Sequence, residues 1–151
     1  MKEALAELLD RQDRQRQSLA DILKILQEER RALKENDPAS IPGLLVGLQE
    51  ASTDAMKAEA ERRRAALDLA SAMKCSPSVR EFCSRLAEED RRRLRKSAGD
   101  LLEVVLAIKE CGFILNRQAT EHRLLAELLL ERLKNAGSPF ALEGAGLDTH
   151  A

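Results

Sequence analysis

Aromatic residues are almost missing from this chain. Of 151 residues only Phe82, Phe113 and Phe140 are aromatic, and there is no Trp or Tyr. An interior without them has to be built from Leu, Ala, Ile and Val, which excludes most β-sandwich and barrel architectures. An excess of one charge is missing too: 25 basic residues against 26 acidic ones leave a net charge of −1. No global field draws such a chain onto nucleic acid or an anionic membrane, so any binding of that kind would have to be local. No apolar run approaches the ~20 residues of a membrane span. The opening MKEALAELLDRQDRQ carries charge on both sides of a very short apolar patch, unlike an export signal. The expectation is a soluble, cytoplasmic protein with no membrane insertion.

The residues of chemistry are equally sparse. Cys75, Cys83 and Cys111 are an odd number with no C-x-x-C pair, and His122 and His150 are too distant to complete a zinc set. Reduced thiols acting as small apolar side chains are the expected reading. There is no G-x-x-x-x-G-K, G-x-G-x-x-G or G-x-S-x-G, so a phosphate cradle or a nucleophile elbow has nowhere to form. The residue three before His122 is Ala119, which removes the Glu-x-x-His pair of a helical di-metal site. No catalytic residue, metal or cofactor is expected. Carboxylates among arginines, such as Glu28, Glu29, Glu88, Glu89 and Asp90, read as solvated faces. The basic runs Arg62–Arg64 and Arg91–Lys96 have no interleaved aromatics, and acidic residues precede each one, so they read as solvated helix surface rather than a nucleic-acid site.

Proline organises what is present. Pro38, Pro42, Pro77 and Pro139 fall in three narrow zones, and the Ala/Leu/Glu/Arg-rich stretches between them are free of it, as long helices require. This predicts helices over about 2–36, 41–74 and 77–135. Asp37 or Ser40 is a cap candidate in the first zone, and Ser76, with Pro77 at the first helical position, in the second. Leu5, Leu8, Leu19, Ile22, Leu26 and Leu33 form the first seam, interrupted at Gln12 and Gln15. Leu44, Leu48, Ala51, Ala55, Ala58, Ala65, Leu69 and Ala72 form the second, with Arg62 as an exception. The third seam runs from Leu94 through Ala98, Leu101, Val105, Ile108, Gly112 and Leu115 to Leu133. A helix over 77–135 would span about 88 Å, against about 50 Å for each of the others. It therefore overhangs or breaks, and the charged stretch Ala87–Arg93 has the least apolar surface to keep packed. A short helix near 78–87 followed by a long one near 90–135 is expected. The fold class is thus all-α: long antiparallel helices in a coiled-coil-like three-helix bundle over residues 1–136, with a flexible tail over 137–151.

The last helix carries more apolar surface than one seam needs. In LLEVVLAIKECGFIL only Glu103, Lys109 and Glu110 are charged, and Leu124, Leu125, Leu128, Leu129, Leu130 and Leu133 repeat the pattern further on. Two explanations stand: core facing the first two helices, or a partner surface. The partner surface would take in Leu101, Val105, Ile108, Leu115, Leu124, Leu125, Leu128 and Leu129.

The order of these features resembles the flagellar export chaperones of the FlgN type. The resemblance rests on LADILKILQEERRALKENDPASI closing the first helix, LLVGLQEASTDAMKAEAERRRAALDLA in the second, and LLEVVLAIKECGFILNRQATEHRLLAELLLERL in the last. It covers roughly residues 5 to 135. It implies a non-catalytic type III export chaperone that holds the C-terminal amphipathic segment of hook–filament junction proteins and so prevents premature assembly. The client would bind through the part after about Leu101 together with the tail. An export-gate component would be a second partner, with Phe140 as the one aromatic in the tail to meet it. The Asn-rich signature usual in that helix is reduced here to Asn116, and the tail has no Tyr. The competing expectation is a self-associating coiled-coil scaffold or tether without a secreted client.

Overall fold

The computed structural model describes residues 1–121 and 131. Among them are four α-helices and no strand: α1 (Lys2–Lys34), α2 (Ile41–Met73), the short α3 (Val79–Arg85) and α4 (Glu88–Glu121), with a single 3₁₀ turn at Pro38–Ser40. The all-α expectation holds. The break before the last helix falls at Leu86–Ala87, at the edge of the charged stretch where it was expected. The overhang of the last helix, the segment up to residue 135 and the 137–151 tail lie outside the described residues.

α1 and α2 end in the same way. Asn36 and Lys74 both take a left-handed backbone, with φ of 54° and 55°. Asp37 N–H then donates to Ala32 O and Cys75 N–H to Ala70 O, the six-to-one bond of a Schellman motif. The start signals differ from expectation. Neither Asp37 nor Ser40 caps through its side chain; the Ser40 hydroxyl donates to Asp37 Oδ2 at 2.6 Å instead. α3 is capped by Ser78, whose Oγ accepts from Glu81 N–H at 3.0 Å, and not by Ser76. The reason is spacing: Ser78 stands three residues before Glu81, the capping-box interval, and this leaves Pro77 outside the helix.

α1 runs against α2 and alongside α4. Arg11 faces Glu61, Ile25 lies against Gly47, and Gln12 meets Ser97. Two apolar clusters result. The lower one joins Leu5 and Leu8 of α1, Leu69 and Met73 of α2, Phe82 and Cys83 of α3, and Leu94 of α4. The upper one joins Leu19, Ile22, Leu26 and Leu33 with Ile41, Leu45, Leu48 and Ala55, and with Leu101, Val105, Ile108 and Leu115. Between them lies a buried polar layer of Gln12, Gln15, Glu59 and Arg62. The Ser97 hydroxyl donates to Gln12 Oε1 at 2.8 Å, which ties α4 to α1 at one height.

Candidate partner-binding surface

Leu101, Val105, Ile108 and Leu115 are fully buried in the upper cluster. As a partner surface these four are a correction: α1 and α2, each 33 residues long, reach as far as the described part of α4 and spend its inward stripe on their own core. Leu124, Leu125, Leu128, Leu129 and Phe140 lie outside the described residues, as does His122.

The apolar surface that α4 does expose stands next to that stripe. Leu106 is 55% and Phe113 67% exposed, while Leu102 and Val104 are half-buried against the upper cluster. On α2, Val46, Met56 and Leu67 are 56%, 50% and 56% exposed. Leu102, Leu106 and Phe113 recur at four- and seven-residue spacing on α4, and such a grouped apolar strip, unlike scattered single residues, is a candidate partner surface. The surplus was visible in the run 101–115, but the choice of outward residues was not. That depends on which side α1 takes.

Polar chemistry divides into what is satisfied locally and what is buried. A shallow cleft of about 280 Å³ between α1 and α4 is lined by Leu9, Gln12, Asp13, Arg16, Arg93, Lys96, Ser97 and Asp100. Its charges are already paired within their own helices, Arg16 with Asp13 at 2.8 Å and Lys96 with Asp100 at 2.9 Å. Little is left there for a ligand. Glu29, expected on a solvated face, is instead completely buried, and neither carboxylate oxygen has a hydrogen-bond partner. Burial pushes its pKa up to about 7. Glu59, from the acidic run ahead of Arg62, is buried as well; burial raises its pKa, and Arg63 and Arg62 pull it back in part. The Cys111 thiol is pushed up by burial, and Cys75, Cys83 and Cys111 are all free.

One member of the second basic run is structural. Arg91 Nε donates to Cys83 O at 2.8 Å and Nη2 to Leu86 O at 3.1 Å, so its guanidinium clasps the α3–α4 corner. Among the described residues no cluster of His, Cys, Asp or Glu is placed to hold a metal ion, and no helix is long and apolar enough to cross a membrane. No family model, no curated protein and no solved structure matches this chain.

Proposed function

We propose that this protein is a non-catalytic helix-binding chaperone of the FlgN type, acting in the cytoplasm on the C-terminal amphipathic segment of hook–filament junction proteins. The observation that carries the reading is the second apolar face of α4, with Leu106 and Phe113 open to solvent although the helix already fills its core with Leu101, Val105, Ile108 and Leu115. The leucine-rich sequence from Leu124 to Leu133 extends that surplus along the chain. A client segment that later assembles as a coiled coil exposes an apolar helix face while it is a monomer, and packing against another helix covers that face. Because burial of apolar side chains supplies the energy, a competing partner or unfolding at the export machinery is enough for release.

A pull-down from the source cell tests this. It should recover a secreted helical junction protein, and the purified chain, a monomer alone, should form a one-to-one complex with it. A tight homodimer with no client overturns the proposal in favour of a self-associating scaffold.

A further inference from the structure

Glu29 is completely buried near one end of the bundle, and neither of its carboxylate oxygens has a hydrogen-bond partner. Each packed element contributes to that isolation. On α1 the residues three and four positions away, Ile25, Leu26, Ala32 and Leu33, are all apolar. The register set by Arg11 with Glu61 and by Ile25 with Gly47 brings Glu29 level with the turn Ile41–Leu45 of α2, a helix with no charged residue before Glu50. The register set by Ser97 with Gln12 brings it between Cys111 and Leu115 of α4, both buried. Cys111 feels Glu29 together with Arg30 and Glu110, and those last two are exposed. None of these groups compensates Glu29, whose pKa burial alone pushes up to about 7. A charge in this position has neither water nor a counter-ion, so the carboxyl keeps its proton or water has to reach it.

The shortest route for water is at this end. Glu29 lies about one and a half turns before the last residue of α1, Lys34. Just beyond it α1 and α2 are tied to each other, since Asp37 N–H donates to Ala32 O and the Ser40 hydroxyl to Asp37 Oδ2. The hydrogen bond from Ser97 to Gln12, which ties α4 to α1, lies about 25 Å lower. Below that height the polar layer divides the two clusters, so the upper end can part while Leu5, Leu69, Phe82 and Leu94 stay packed.

We propose that Glu29 is a proton-controlled latch: protonated, it closes the upper end of the bundle, and ionised, it lets α4 part from the α1–α2 corner and uncovers Ile108, Cys111 and Leu115. The sign follows from where the proton is held. The closed end holds it and the open end, where water reaches the carboxyl, releases it, so opening becomes easier as pH rises from about 4.5 and levels off above about 7. The latch is a property of the bundle and does not depend on a client.

Two thiols report on it separately. Cys111 in the upper cluster and Cys83 in the lower one are equally buried, at 5% exposure each. The full-length chain is labelled with a pyridyl disulfide reagent at pH 5 and at pH 7.5, and each cysteine is read by mass spectrometry of its peptide. Dividing each rate by that of the same cysteine in the urea-unfolded chain removes the pH dependence of the thiol itself. The corrected rate of Cys111 should rise at least tenfold between the two pH values, while that of Cys83 changes less than threefold. In Glu29→Gln, and in Glu29→Met should the amide disturb the fold, Cys111 should stay at its slow rate at both. Cys111 and Cys83 rising together overturns the proposal, because the whole chain then opens rather than one end. So does a Cys111 rate indifferent to pH, or a rise that survives in both variants, which would assign the effect to another group such as Glu59.

Discussion

Glu29 shows how much one helical step decides. Its neighbour Glu28 points outward and pairs with Arg31 at 3.1 Å; a rotation of about 100° puts Glu29 inside the bundle with both oxygens unpartnered. Its pKa is about 7 in the fold against an ordinary 4.5, so the folded state holds the proton more tightly than the unfolded chain. The stabilisation is therefore complete below about pH 4.5, falls as pH rises, and is gone above about 7; the whole change is of order 3 kcal/mol. Arg30, Glu110 and Cys111 are the charged and titratable groups around the α1–α4 contact at this height, and the more weakly shifted Glu59 adds a slope of the same sign. Glu29→Gln should flatten most of the loss between pH 5 and pH 8 in urea unfolding. A variant as pH-dependent as the parent would contradict this account of the site. Lys74 offers a second check at the same scale. A left-handed backbone costs a β-carbon about 1 kcal/mol relative to glycine, so Lys74→Gly should raise the unfolding midpoint, corresponding to about 0.5–1 kcal/mol.

At the scale of elements, the boundaries were legible because proline and turn chemistry mark them. The predicted first two helices, about 2–36 and 41–74, compare with Lys2–Lys34 and Ile41–Met73, and the short helix near 78–87 with Val79–Arg85. The inward faces were legible where a single stripe of leucine exists, as in α1, whose six seam residues are all buried. They slipped where alanine or extra apolar residues blur the stripe. On α2 the expected Ala72 is exposed and Met73 is buried; on α4 Cys111 is buried and Gly112 only half so. A straight helix drifts about 20° per heptad from a strict seven-residue repeat, enough to hand an inward position to the next residue. The charged residues misread as solvent-facing, Glu29, Arg62 and Arg91, all look like ordinary salt-bridge partners in sequence. Their roles come from elements that sequence spacing does not place. For Arg91 that role is the clasp on two carbonyls at the α3–α4 corner, bonds in which the donor is charged. Arg91→Ala should destabilise by about 1–2 kcal/mol and loosen Val79–Arg85 first, seen as faster amide exchange in α3 than in α1 or α2. Uniform loss across the bundle would assign Arg91 no local role.

Among the described residues the molecule is two apolar clusters separated by a polar layer of Gln12, Gln15, Glu59 and Arg62, with Ser97 tying α4 in. Such a layer lowers stability but permits one register among long helices that could otherwise slide. Gln12→Leu with Gln15→Leu should raise the melting temperature while broadening the oligomer distribution in sedimentation. A single well-defined monomer in that variant would show that register is held elsewhere. A fixed register matters for the proposed activity because it decides which residues of α4 are spent inside and which, such as Leu106 and Phe113, remain for a partner. In the proposed function this remaining apolar surface holds one amphipathic helix. Calorimetric titration of the full chain with the C-terminal segment of a hook–filament junction protein, repeated at several temperatures, tests it most directly. The expected result is a stoichiometry of one to one and a negative heat-capacity change, the mark of apolar burial. No heat of binding together with a dimer that persists on dilution would contradict it.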